Sequence, residues 1–291
     1  FRGLGDVGWE EVPDPAIVSP TDAVLRPLAV ARCDLDIPMV MGGLFPGPYA
    51  VGHEIVGEVV ERGDGVTTLG VGDRVIVPFQ VSCGRCDQCR AGLFAACAPM
   101  SAPAGAAFGF GPAGGGHGGG LSDRLLVPFA DHLLQPAPAG IDPATLAVVP
   151  DNYIDGYRAV GPALSARPGV DVLVVAGLAS SIGLYAVAIA DALGAGRVRY
   201  VDGDTERMAV AEALGAEVDD GTGDASKKWG FEDGGRDILR KNEDRYWLRG
   251  SHYQKMPWGI QAKLDVDLVS DQDYTQEFRN GYMGWNRSKH F

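Results

Sequence analysis

Three textures follow one another along this chain. Asp171-Val172-Leu173-Val174-Val175-Ala176 is a short β-branched run of the kind that forms a buried parallel strand. It leads through Gly177-Leu178-Ala179-Ser180-Ser181-Ile182-Gly183 into residues 184–193, where the Leu/Val/Ala spacing is helical. A second strand, Val198–Asp202, and a helix near Thr205–Leu214 come next, giving half of a βαβαβ unit. Residues 1–150 read instead as short strands and turns rich in Gly and Pro, for example Ala50–Arg62 and Asp73–Phe79. Within them Ala104–Gly120 is Gly-rich, and no apolar helix follows it, so a flexible connector fits better than a phosphate loop. His117 in that stretch is expected to face solvent, and His132 has no patterned partner. The third texture is strict alternation. Ile260, Ala262, Leu264, Val266 and Leu268 interleave with Gln261, Lys263, Asp265, Asp267 and Val269. Tyr246–Tyr253 predicts the partner strand, with Met256–Gly259 as the turn.

Composition sharpens this division. The 291 residues are 46% hydrophobic and 22% charged, which is globular, and the length suggests about two domains. The net charge of −13 argues against nucleic-acid binding, because phosphate contacts need Lys and Arg. No apolar run is long enough for a transmembrane helix, and no charged-then-apolar leader is recognised. Phe at position 1 points to a start lying further upstream. Residues 1–220 hold thirteen Arg, 27 acidic residues and no Lys, whereas all six Lys lie at 227, 228, 241, 255, 263 and 289. Either a domain with a different surface begins near residue 221, or two genes of different base composition are joined there.

Four of the five cysteines, Cys83, Cys86, Cys89 and Cys97, are spaced C-x2-C-x2-C-x7-C. Four thiolates at such spacing can cage Zn²⁺, and Gly84, Asp87 and Gly92 let the chain wrap the ion. Two disulfides are the alternative, a poor one for a large acidic chain without a leader. With four protein ligands the site is closed, hence structural.

The fifth cysteine, Cys33, precedes Gly52-His53-Glu54-Ile55-Val56-Gly57, Gly63 and Val66, the pattern G-H-E-x2-G-x5-G-x2-V. A lone Cys or His is more often a packing residue than a ligand; the spaced pattern is far more specific. Residues 1–220 resemble the zinc-dependent alcohol dehydrogenases of the medium-chain dehydrogenase/reductase superfamily. The resemblance implies that Cys33 and His53 are catalytic zinc ligands, that Glu54 is the acidic neighbour of the histidine, and that Asp151 is the third ligand. A Cys/His/Asp set leaves the fourth position open for water or substrate. It also implies a GroES-like β-barrel for residues 1–150. Family members commonly carry a hydroxyl residue and a histidine as proton relay where this chain has Leu35 and Pro38, neither of which can pass a proton. Asp36 matches a frequently acidic position and is not assigned the relay.

The turn Gly177–Gly183 replaces G-x-G-x-x-G by G-x5-G with Ala and Ser between, and it would bring Gly177, Ser181, Ile182 and Gly183 to a pyrophosphate. Asp202 ends the second strand, where a carboxylate accepts from the adenosine ribose and repels a 2′-phosphate, so NAD is expected over NADP. Arg207 matches a family position near the same ribose, where an Arg could also help a phosphate bind.

A full family member would continue past Val218 with further parallel strands. Here Asp219–Asp224 is a polar break. Asp244–Gly250, Trp258-Gly259, Lys263–Asp265 and Val269–Tyr274 resemble the lipopolysaccharide-assembly outer-membrane barrel protein over residues 226–291. An ordinary soluble hairpin would show the same alternation. So few strands cannot close a barrel, so no membrane insertion is expected. The expected architecture is α/β. Residues 1–154 form a GroES-like zinc-binding catalytic domain and 155–224 a truncated Rossmann-type NAD-binding parallel sheet; 225–291 form a foreign antiparallel β-rich tail. The implied activity is hydride transfer between an alcohol or polyol and NAD, with one catalytic and one structural zinc, in the cytoplasm, impaired by the short cofactor domain. The substrate is a small alcohol or aldehyde, and the sequence leaves the oligomeric state open. The competing expectation is an inactive fusion of two fragments.

Overall fold

A computed structural model describes residues 1–176 and 180–220, together with the backbone of Trp247–Lys255 and Gln261–Val269. The chain divides into two compact units, Phe1–Val218 and Asp219–Phe291.

The first part of unit one is an antiparallel five-stranded sheet. Its strands are β1 (Ala23–Ala31), β2 (Glu54–Arg62), β3 (Arg74–Val77), β4 (Leu125–Val127) and β5 (Gln135–Pro136), in the order β4-β1-β2-β3-β5. Alternating Val, Ile and Leu put one face of each strand inward. Leu25, Ile55, Val59, Val75, Val77 and Phe108 are fully buried in its core. Pro27, lacking an N–H, sits beside a register shift of β1, where a missing ladder donor is tolerated. Short helices α1 (Asp36–Met41), α2 (Asp87–Arg90), α3 (Ala130–Leu133) and α4 (Pro143–Leu146) punctuate the loops. Helix α4 starts on Asp142, whose side chain accepts from Ala144 N at 2.7 Å, with Pro143 at the first position, where its missing N–H costs nothing.

Ala104–Gly120 is not the flexible connector that its composition suggested. Ala107 N donates to Gly114 O at 2.9 Å, Gly109 N to Gly118 O at 2.6 Å and Gly120 N to Gly52 O at 2.8 Å. Glycines with positive φ let this segment fold upon itself, and Phe108 and Phe110 carry it into the core. His117 is correspondingly half-buried, its ring tilted against Phe108 at 6.2 Å, rather than facing solvent. His132, which had no partner in the sequence pattern, meets Ser82 Oγ through Nε2 at 2.8 Å.

Beyond it, β6 (Val172–Val175), β7 (Val198–Val201) and β8 (Glu217–Asp219) form a sheet in the order β6-β7-β8, with β6 and β7 parallel. Helices α5 (Ile154–Ala166), α6 (Ser180–Ala192) and α7 (Thr205–Ala213) accompany it. Val160, Leu164, Val187, Ala190, Tyr200 and Ala211 form this second core. Helix α6 begins at Ser180, four residues before the apolar periodicity that predicted it, while α5 was not anticipated at all. Strand β6 is an edge of the described sheet, and its Val175 is 68% exposed. Helix α7 is capped by Asp204, which accepts from Glu206 N and Arg207 N at 3.0 Å each.

In unit two, β9 (Trp247–Lys255) and β10 (Gln261–Val269) pair antiparallel, Trp247 opposite Val269 and Lys255 opposite Gln261, as the alternation predicted. The expected turn at Met256–Gly259 lies outside the described residues. Among the described residues no helix is long and apolar enough to cross a membrane.

Candidate active site

The register of β1 against β2 makes the site. Ala31 pairs with Glu54, so Cys33, just past the end of β1, and His53, just before β2, emerge together from one end of the sheet. Cys33 Sγ lies 3.1 Å from His53 Nε2, and the same Nε2 lies 3.3 Å from Asp151 Oδ2. Asp151 arrives on a π-helical turn, Val149–Tyr153, that leads into α5; such widened turns recur at functional sites. One donor atom from each of Cys33, His53 and Asp151 lies within 4.8 Å of the other two.

Two carboxylates tighten this cluster. Asp36 accepts from Cys33 N through Oδ2 at 2.9 Å and places Oδ1 3.5 Å from His53 Nδ1, a buried atom with no hydrogen bond of its own. One side chain thus faces both Cys33 and His53, the placement that carboxylates behind metal-bound histidines take. Burial alone would lower the His53 pKa, yet Asp151, Cys33 and Asp36 together raise it to about 10. The centre of the cluster therefore favours positive charge strongly, and soft thiolate, imidazole and carboxylate are the donors zinc takes. Glu54 is fully buried, and burial pushes its pKa up to about 7 despite the backbone N–H of Asn152. Asn152 donates to Glu54 Oε1 from its backbone at 3.0 Å and to Oε2 from its amide at 3.2 Å.

The other side of His53 is aromatic. Phe110 meets it edge-on at 5.4 Å and Phe79 at 6.2 Å. Leu35, at the expected relay position, gives Cys33 Sγ a backbone N–H at 3.3 Å, a contact that steadies the sulfur but moves no proton.

Sγ atoms of Cys83, Cys86, Cys89 and Cys97 also lie within 4.8 Å of one another. Gly84 and Gly92, both with positive φ, turn the chain around them. Backbone N–H groups of Arg85 and Cys86 hold the Cys83 thiol down to about 6, whereas burial and the neighbouring thiols push Cys97 up to about 11. Four thiolates this close can ionise together only around a cation, which is what a structural zinc provides.

The nucleotide turn is more occupied than expected. Gly177 lies outside the described residues. Gly183 sits on α6 where an added Cβ would touch Tyr200 and Val174 at 3.5 Å, so it packs helix against sheet. Ser181 donates to Asp34 Oδ2 from its backbone at 2.8 Å and its hydroxyl at 2.9 Å, and Ser180 Oγ is 3.4 Å away; Ile182 beside them is half-buried. Asp202 accepts from Arg207 Nε at 2.6 Å, Arg207 Nη2 at 2.7 Å, Tyr200 OH at 2.8 Å and Asp204 N at 3.0 Å. Arg207 above all holds the Asp202 pKa far below the usual carboxylate range. The two residues expected to share a ribose thus hold each other. Asp34, Asn152, Tyr200, Phe79 and Phe110 were not foreseen; only the position of Asp34 beside Cys33 hinted at one of them.

The alcohol dehydrogenase GroES-like domain family matches residues 19–138. A medium chain reductase/dehydrogenase of an Acremonium species is 30% identical over 221 residues, covering 74% of this chain and 73% of that protein. The chain belongs to the medium-chain dehydrogenase/reductase family. Within it, a zinc-type alcohol dehydrogenase-like protein of Bacillus subtilis is 34% identical over 69% of this chain and 54% of its own length. A glutathione-independent formaldehyde dehydrogenase of Pseudomonas aeruginosa is 35% identical over 76% of this chain and 57% of its own. Among solved structures, the alcohol dehydrogenase of Thermus sp. ATN1 superposes with a TM-score of 0.68 at 31% identity, over 75% of this chain and 61% of that one. The acetophenone reductase of Geotrichum candidum in complex with NAD gives 0.60 at 30% identity, over 74% of this chain and 60% of that one. The chain therefore spans little more than half the length of most of these relatives.

Proposed function

We propose that this chain is a zinc-dependent, NAD-linked dehydrogenase of small alcohols, polyols or aldehydes, with turnover limited by its short cofactor domain. The observation that carries the reading is the convergence of Cys33, His53 and Asp151 donors within 4.8 Å of one another, walled by Phe79 and Phe110. Cys33, His53 and Asp151 hold the catalytic zinc, and Cys83, Cys86, Cys89 and Cys97 the structural one. Bound zinc supplies a Lewis acid that lowers the pKa of an alcohol, and bound NAD supplies the hydride acceptor. Phe79 and Phe110 exclude water on one side of the site and suit a short apolar carbon chain. Glu54, held by Asn152, places a buried carboxyl behind His53 and tunes the cluster electrostatically. The Leu35 side chain carries no exchangeable proton and the residue is 36% exposed, so the substrate proton passes directly to water at this position. In this reading the turn Gly177–Gly183, with Ser181 and Ile182, would hold the pyrophosphate, and Asp202 with Arg207 the adenosine ribose, which would favour NAD over NADP. Five free cysteines fit a reducing, cytoplasmic setting.

In this reading residues 1–154 are the catalytic domain, 155–224 a half cofactor domain and 225–291 a tail related to an outer-membrane barrel protein. A second reading, an inactive fusion, is favoured by one observation: near residue 221 an acidic, Lys-free stretch gives way to one that holds all six Lys. Absorbance at 340 nm with NAD⁺ and a panel of short alcohols and hydrated formaldehyde decides between them. Zinc-dependent turnover supports the dehydrogenase; none from zinc-replete, folded protein supports the fusion.

A further inference from the structure

We propose that Asp34 sets the dinucleotide affinity of this chain by occupying the anion position at the first turn of α6, so that a pyrophosphate must displace it to bind. The inference rests on the NAD-linked reading above and deepens it. Helix N-termini attract anions because their first N–H groups have no intrahelical partner. At α6, a helix of thirteen residues, one of these N–H groups is taken from within the chain: Asp34 Oδ2 accepts from Ser181 N at 2.8 Å, and also from the hydroxyls Ser181 Oγ at 2.9 Å and Ser180 Oγ at 3.4 Å. A carboxylate and a pyrophosphate cannot share one set of donors, since both are anionic acceptors without a proton to offer.

Two further contacts make the displacement reversible. The Ser181 hydroxyl has one proton and also lies 3.1 Å from Asn152 Oδ1, so it has a second acceptor ready when Asp34 leaves. Asp202, the acceptor expected for the ribose, is likewise covered by Arg207 and Tyr200 and only 7% exposed. Both polar ends of the described half-site are thus satisfied by the chain itself. Asp34 directly follows Cys33, so its release frees the loop that carries a proposed zinc ligand. Cofactor arrival and the set of that loop are thereby coupled.

The test is isothermal titration of zinc-replete full-length protein with NAD⁺, and separately with adenosine, which has no phosphate. Wild type is compared with Asp34→Asn, which keeps the shape and removes the charge, and Asp34→Gly, which removes both; if the glycine variant does not fold, the asparagine variant carries the test. The expected result is NAD⁺ binding roughly tenfold tighter in the variants, with adenosine affinity unchanged. NAD⁺ affinity that stays the same or weakens while wild type binds measurably overturns the proposal and leaves the NAD-linked reading standing. An equal gain for adenosine also overturns it, because relief would not then be of anion competition. Absence of NAD⁺ binding in every variant overturns both.

Discussion

Asn152 grips both oxygens of Glu54, one with its backbone N–H at 3.0 Å and the other with its side-chain amide at 3.2 Å. The two residues are 98 positions apart, and each follows a proposed zinc ligand, Asp151 and His53. The pair therefore locks the π-helical turn to the start of β2 and sets the spacing of two proposed ligands that lie far apart in the sequence. Asn152→Ala leaves a buried carboxyl oxygen unpaired, which typically costs about 1–3 kcal/mol. We expect a loss of stability of that size by urea unfolding, and weaker zinc retention against a chelator at this site alone. Unchanged stability and zinc retention would show that the grip is incidental.

Two separate donor groups imply two zinc ions per chain with different roles. Elemental analysis should find both in wild type, and Cys33→Ser and Cys83→Ser should each lose one. Their consequences differ. Cys83→Ser unties a loop with few apolar residues of its own, and structural zinc sites contribute folding free energy directly, so its unfolding midpoint falls most. Cys33→Ser keeps the fold and loses any turnover. Retention of two ions by either variant contradicts the assignment of its cysteine.

Asp131 gives the fold an acid-sensitive tie. Burial acts to raise its pKa, but hydroxyls and N–H groups of Thr67 and Thr68 lower it from 3.8 to about 2. The folded state holds this proton less tightly than the unfolded chain does. Its contribution is therefore complete above pH 3.8 and lost as pH falls through about 2. Because Asp131 is exposed, Asp131→Asn is expected to cost only about 0.5–1 kcal/mol at neutral pH. That gap between wild type and variant narrows in unfolding curves taken from pH 7 towards about pH 3. A gap that stays constant over this range contradicts the role.

How much of this was legible in the sequence depends on range. The four clustered cysteines lie within fifteen residues and the strand–turn–helix segments are periodic, so local spacing revealed them. Cys33, His53 and Asp151 were readable through family resemblance. Asp34 and Asn152 were not, because their partners Ser181 and Glu54 lie 147 and 98 residues away, and nothing local marks one polar loop residue over another. Asp202 and Arg207 were noticed individually, but not that they would satisfy each other. Ala104–Gly120 was misread because glycine leaves no periodic trace: what its backbone does there is fixed by φ and by close approach, neither of which a composition records.

Gly109 shows what that stretch requires, and it offers a test. Its φ is +75°, and a Cβ there would lie 2.9 Å from both the carbonyl carbon and oxygen of Gly52, the residue before His53. Backbone cannot give way as a flexible side chain can. Gly105 has nearly the same φ, +80°, with nothing within 4 Å of the added carbon. Gly105→Ala therefore reports the conformational cost alone, about 1–2 kcal/mol for a left-handed alanine. Gly109→Ala adds the collision, and relief of that collision must push Gly52 and with it His53, a proposed ligand. We expect Gly109→Ala to be the more destabilising of the two in thermal unfolding and to lose zinc from the Cys33 site, while Gly105→Ala retains it. Equal destabilisation with full zinc in both would mean that the Gly109–Gly52 approach does not position the ligand.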